Sequence, residues 1–283
     1  MDASPRRHFV IGDTQIRPGV PQDAMRWIGK AIVDYRPDVI VHVGDHWDHH
    51  SLSHYDMPGA GSSGSVPLEG ARYADDVESG NAAFATLCAP MEAKIERLKR
   101  NKDKSWNPAR YYVLGNHDVR PDIVAEKDAK LVRTLGSDKC DTRGWTRVPF
   151  LKPILIDGIY YSHYFPNQHS GKAIGGEVGN RLTKIGASFV QGHEQGKREG
   201  NRITATGRTW YGLVLGSCYL HQESYRQGCN RHWNGCAILN DVNDGEYDLM
   251  TLSLKYLCRK YENENLHTFM TKKYPHGDWD HLK

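Results

Sequence analysis

Five short polar clusters each close an apolar run: Asp13-Thr14-Gln15, Gly44-Asp45-His46-Trp47-Asp48, Gly115-Asn116-His117-Asp118, Ser162-His163 and Gly192-His193-Glu194-Gln195. Carboxylates, amide oxygens and imidazoles gathered in one pocket suit Mn2+, Fe or Zn2+ better than Ca2+, which takes oxygen donors. Two such ions about 3.5–4 Å apart can share a carboxylate, clamp a phosphate and generate hydroxide from water. Taken singly, these residues have plainer readings. Asp13 alone is a helix cap after a strand, and His163 or His193 alone is a half-buried ring at a strand end. The ordered series of five outweighs those readings.

The elements that must carry the clusters are legible around them. His8–Ile11, Asp38–Val43 and Arg110–Leu114 are β-branched or aromatic runs of strand length, each closed by glycine and polar residues. Between the first two, Ala24, Ile28, Ile32 and Val33 recur at helical spacing over 21–36, giving a β-α-β unit with parallel strands. Ligands of such sheets bind outside the carboxyl ends of the strands, where these clusters fall. Residues 56–70 are a Gly/Ser/Pro-rich loop, of a length typical of substrate lids or disordered insertions. Residues 74–102 read as helix with a kink or break at Pro90, and 121–135 as a helix opened by Pro121 and closed by Gly136. The text then turns β-rich at 147–165, 187–191, 203–216, 235–240 and 248–257, with Asn243-Asp244-Gly245 as a hairpin turn. The expected organisation is a single domain over 1–260, with an inserted loop and helical segment at about 51–105, and a tail over 261–283 that forms a surface helix or loose end.

Composition sets outer limits. The chain has 283 residues, 39% hydrophobic and 25% charged, which fits one large globular domain. No apolar run approaches the roughly 20 residues that cross a bilayer, and no long apolar stretch precedes the first cluster, so a cytoplasmic protein is expected. Six scattered cysteines form no C-x-x-C pair and read as reduced thiols. A net charge of +3 is too mild to demand a nucleic-acid partner. Five histidines are crowded between His42 and His54, and of these His46, His49, His50 and His54 read as loop residues near a substrate or in solvent. Asp48-His49-His50 overlaps by chance with the signature of a phosphoesterase class whose further acidic motifs this chain lacks.

The series D-x-Q, GDxxD, GNHD, a lone His and GHxQ resembles the calcineurin-like metallophosphoesterase superfamily over residues 8–195, about two-thirds of the chain. The resemblance implies an α/β fold, a four-layer αββα sandwich of two mixed β-sheets flanked by helices. It implies a hydrolase acting on phosphoric esters through divalent metal ions. Asp45 would bridge two metals. Asn116, His163 and His193 would complete the second metal's shell, with Asn116 also touching substrate, and Asp13 and the residue two places on would hold the first. His117 would serve the leaving group, with Asp48 orienting it or capping the following helix.

Two departures from that pattern match each other. The family has His where this chain has Gln15 and again where it has Gln195, and both imidazoles would serve the first metal. An oxygen-rich first site follows, weaker than the second and favouring Mn2+ or Mg2+ over Zn2+ or Fe, so one tight and one looser position are expected. A phosphodiester substrate is favoured, with DNA, RNA or a nucleotide as candidates, contacted by His46, Lys197 and Arg198. The stretches GSCYLHQESY and NRHWNG are similar to bacteriophage-encoded phosphoesterases, which would place the protein in a host cytoplasm. The rival readings are a mononuclear phosphomonoesterase and a metal-binding interaction scaffold. Retention of Asp13, Asp45 and His117, which a scaffold has no need of, speaks against the latter.

Overall fold

The structure, a computed structural model, describes residues 4–53, 70–223 and 232–283. His54, Cys229 and the expected 56–70 loop, apart from Gly70, lie outside the described residues. In chain order the elements are β1 (Arg6–Ile11), α1 (Asp23–Tyr35), β2 (Val39–His42), α2 (Tyr73–Arg100), β3 (Ala109–Val113), α3 (Arg120–Lys127), β4 (Thr146–Val148), β5 (Ile154–Ile156), β6 (Ile159–Ser162), α4 (Val178–Ile185), β7 (Phe189–Gln191), β8 (Arg198–Ile203), β9 (Thr209–Val214), β10 (Gly235–Asn243), β11 (Glu246–Ser253), α5 (Leu254–Glu262) and α6 (Leu266–Lys273).

Strand alternation builds the layers. Along β1, Phe9 and Ile11 face a core shared with Trp27 and Ile28 of α1, Phe84 and Leu87 of α2, Leu257 of α5 and Met270 of α6. Val10, between them, faces the other way into a second core with Val41, Tyr161, Val190 and Leu213. The first sheet runs β11-β10-β1-β2-β3-β4 and the second β5-β6-β7-β9-β8, so the second core is the seam between two sheets. A third cluster, Val178 and Leu182 of α4 against Phe189 and Val214, covers the far face of the second sheet. Both sheets mix parallel and antiparallel pairs. This is the four-layer αββα sandwich that the motif series implied.

Register brings the clusters to one edge. Ile11 lies opposite His42 and His42 opposite Tyr112, so β1, β2 and β3 end level. In the second sheet Ser162 lies opposite Gln191, which ends β6 and β7 side by side.

The structure corrects several boundaries. The helix after GNHD stops at Lys127, because beyond Ala125 none of the apolar residues up to Leu135 is buried and Val132 is exposed. α2 runs unbroken through Pro90. The expected strand over 248–257 ends at Ser253, whose hydroxyl caps α5 by accepting a hydrogen bond from the Tyr256 N–H. The strand β8 and the short helix α4 were not expected. The stretch from Tyr261 carries α6, whose Leu266 and Met270 are buried. The five described cysteines are free and buried.

Candidate metal centre

Three residues from three strand ends meet at one point. The side-chain oxygen of Asn116 lies 2.9 Å from His163 Nε2 and 2.9 Å from His193 Nδ1. His163 Nε2 is also 3.2 Å from an Asp45 carboxylate oxygen. Ligand atoms bonded at about 2.1 Å to one octahedral ion stand about 3 Å apart, so this spacing fits a single divalent cation. Asp45, His163 and His193 together form a group able to hold a metal ion. His163 is already set for that purpose: its Nδ1–H donates to the Val43 carbonyl at 2.8 Å, which turns Nε2 toward the cluster.

Local geometry explains why this arrangement needs its particular neighbours. A side chain at Gly115 would place its Cβ 2.1 Å from the Asp45 carboxylate, and one at Gly192 would lie 2.3 Å from that of Asp13. Gln15, Asp45 and His193 all adopt positive φ, of 40°, 53° and 67°. Such backbone costs energy and persists where surrounding contacts impose it. Asp118 supplies some of those contacts. Its carboxylate accepts from the N–H groups of Asp45 at 2.8 Å and Gly115 at 2.7 Å, and from the Tyr112 hydroxyl at 2.8 Å.

Charge is distributed unevenly. Burial works against a charged His163, yet Asp45 holds its pKa up at about 9. Burial, together with the neighbouring His163, pushes His193 down to about 4. Two imidazoles with ring centroids 5.2 Å apart cannot both be charged. Burial favours the neutral form of Asp45, but His163 and His117 hold it ionised, below the usual carboxylate range. Burial, with Asp45 adding to it, raises Asp13 to about 7. The positive charge that Asp45 draws onto His163 is the charge a divalent cation supplies to the same donors.

Asp13 lies beside the cluster, where its carboxylate accepts the His193 N–H at 3.0 Å. Gln15 and Gln195 are buried and face one another, the Gln195 amide N–H donating to the Gln15 side-chain oxygen at 3.4 Å. Neutral amide oxygens are hard, uncharged donors and hold a transition metal less tightly than imidazole does.

On the other flank, His117 Nδ1–H donates to Asp48 at 2.6 Å, and its backbone N–H donates to Asp45 at 2.8 Å. Burial would lower the His117 pKa, but Asp45 and Asp48 raise it. Sequence reasoning missed three residues here. Arg17 donates to the second Asp48 oxygen at 2.8 Å and to Glu223 at 3.0 Å. Arg120 donates to the Asp48 carbonyl at 2.7 Å and to His117 Nε2 at 3.0 Å. Arg120 stands two residues after GNHD, a placement visible in sequence, whereas the Arg17–Glu223 pair spans most of the chain and leaves no local signal.

The family model for calcineurin-like phosphoesterases matches residues 7–186. The chain belongs to the calcineurin-like phosphoesterase family. A search of curated proteins found no match. This phosphoesterase is therefore a metal-dependent hydrolase of phosphoric esters, and its family match ends before His193 and Gln195. No helix among the described residues is long and apolar enough to cross a membrane.

The remaining expectations for the phosphoesterase fare differently. His46, expected near substrate, is fully buried beneath α2. Its Nε2–H donates to the Gly80 carbonyl at 3.0 Å and its Nδ1 accepts from Thr14 at 2.7 Å. The ring packs against Trp47, the next residue, and against Phe84 of α2, so an aromatic neighbourhood claimed it. His49 is buried too, stacked on Tyr73 rather than solvated. Lys197 pairs with Glu199 at 3.0 Å, and Arg198, on the exposed strand β8, pairs with Glu194.

Proposed function

We propose that this phosphoesterase hydrolyses phosphodiesters by attack of water, with Asp45, Asn116, His163 and His193 holding the tighter of two cation positions. The observation that carries the reading is the convergence of Asn116, His163, His193 and Asp45 within contact of one another, with His117 alongside. A bound divalent cation supplies Lewis acidity to the phosphoryl oxygen and a water acidic enough to react at neutral pH. Asp45 faces both positions. Asn116 is placed to touch a phosphoryl oxygen. His117, whose Nε2 is 3.8 Å from Asp45, would serve the leaving oxygen. Asp48 orients that ring and Arg17 orients Asp48. An imidazole held this way serves a poor alkoxide leaving group, which is what favours a diester.

Mn2+ suits the mixed oxygen and nitrogen donors best, with Gln15, Gln195 and Asp13 lending a looser second position. A mononuclear enzyme is the second reading, supported by the mutual hydrogen bond of those two glutamines. Lys197 and Arg198 support a polymeric substrate weakly, since a nucleic-acid backbone would have to displace Glu199 and Glu194 to reach them. Turnover with Mn2+ on a nitrophenyl monoester, a bis-nitrophenyl diester, cyclic nucleotides and single-stranded DNA tests the proposal. The diesters should be cleaved faster. Faster monoester cleavage throughout would overturn the diester reading, and undiminished turnover after thorough metal stripping would overturn the mechanism.

A further inference from the structure

We infer that Arg120 is a phosphate-binding residue of the same site, released from His117 when a phosphoryl group arrives. The inference rests on the proposed function. Arg120 opens α3 directly after the GNHD cluster, and only 16% of its side chain is exposed. A cation in the first turn of a helix works against the helix dipole, so stability of α3 gives no reason for it. Its two guanidinium nitrogens have unequal partners. Nη1 is anchored on the Asp48 carbonyl at 2.7 Å, with the Asp48 carboxylate at 3.5 Å. Nη2 donates to His117 Nε2 at 3.0 Å.

Arginine keeps its protons, so Nε2 must be the acceptor in that contact. A neutral imidazole lone pair is a poor match for a guanidinium, whereas a phosphoryl group offers charged oxygens in the geometry of its fork. The contact lies beside the proposed centre, since the same Nε2 is 3.8 Å from Asp45. One nitrogen is thus fixed and the other rests on a replaceable partner at the edge of the cation cluster. Transfer of Nη2 to a phosphoryl oxygen would hold the ester and free Nε2 to take up from water the proton that a leaving oxygen needs.

Binding of inorganic phosphate to the Mn2+-loaded protein, measured by calorimetry, tests this, with the His117 ring followed by NMR. Losing a hydrogen bond from a charged group should weaken phosphate binding about ten- to hundredfold in Arg120→Met, with metal content unchanged. Arg120→Lys should recover part of that affinity, and phosphate should shift the His117 Nε2 resonance in the unmodified protein. On ester substrates the loss should fall on KM as well as kcat. Unchanged phosphate affinity in Arg120→Met would overturn the assignment. So would a loss matched by lost metal or a lowered melting temperature, because Arg120 would then act only as a brace for Asp48. Failure of the unmodified protein to bind phosphate at all would overturn this assignment and the proposed function together.

Discussion

The His117 ring donates to the Asp48 carboxylate across 2.6 Å, and the far oxygen of that carboxylate is held by Arg17 at 2.8 Å. Burial alone would keep Asp48 neutral. The hydrogen bond from His117 and the guanidinium of Arg17 instead hold it ionised, well below the usual carboxylate range. The imidazole is therefore oriented by a charge that is itself pinned from behind.

His117→Ala should keep its metal and lose about 10²–10⁴-fold in kcat on a diester with an alkoxide leaving group. The loss should shrink for nitrophenolate, which needs no proton. Equal losses for good and poor leaving groups would mean that His117 stabilises charge in the transition state. Asp48→Asn should fall between His117→Ala and the unmodified enzyme, as measured by kcat on the same diester.

Chelator should abolish activity and Mn2+ should restore it, with about one tight ion per chain by elemental analysis and a second that titrates in more weakly. Gln15→His combined with Gln195→His should tighten the second ion and move its preference toward Zn2+ or Fe. Two equally tight ions in the unmodified protein, indifferent to the double change, would show that the facing amides do not set the affinity.

Gly80→Ala tests packing. Alanine normally stabilises a helix interior by roughly 1 kcal/mol over glycine. Here the added Cβ would fall 2.0 Å from the Trp47 ring, which is fully buried between α2 and the Asp45 loop. Overpacking costs about 1–3 kcal/mol and should win, lowering the melting temperature. A neutral or raised melting temperature would show that the Trp47 ring can move aside.

Away from the site, Arg6 and His8 of β1 both hold Asp157 at 2.7 Å, tying the first sheet to the turn between β5 and β6. Burial favours a neutral Asp157, but the hydrogen bonds from Arg6 and His8 lower its pKa below 3.8. The stability it contributes is therefore complete above the unfolded value of about 3.8 and lost as pH falls through the lower folded value. Burial lowers His8 below 6.5, so its resistance to protonation also costs stability as pH falls below 6.5. Denaturant midpoints should decline in acid in two steps, and Asp157→Asn should flatten the lower one. An unchanged acid limb in that variant would rule the pair out as its source.

The site's frame was legible because its residues sit where a strand pattern stops. Asp13, Asp45, Asn116, His163 and His193 each follow an apolar run, and parallel register leaves little choice about where they point. What escaped was set by distant neighbours. His46 and His49 lie in a polar-looking stretch, and only the arrival of Phe84 and Tyr73 on α2 buries them. The pair Arg17 and Glu223 is equally invisible, since neither residue has a local reason to be charged and buried. The helix α4 had a readable apolar stripe, Val178, Leu182 and Ile185, but at eight residues with Gly179 inside it was too short to stand out.

The place of β1 in the sheet has a consequence for how the enzyme comes into being. β1 is a central strand, with β2 on one side and β10 on the other, and β10 is made some 220 residues later. At about 5–20 residues per second, a ribosome leaves one edge of β1 open for on the order of ten to forty seconds. During that interval Phe9 and Ile11 have a helix to cover them but no second neighbour, and the loop holding Asp13 lacks the Gly216 carbonyl to which its N–H donates. The catalytic edge is thus completed only late in synthesis, and a nascent chain stalled before β10 carries an apolar strand with one open edge that chaperones or a second nascent chain can capture.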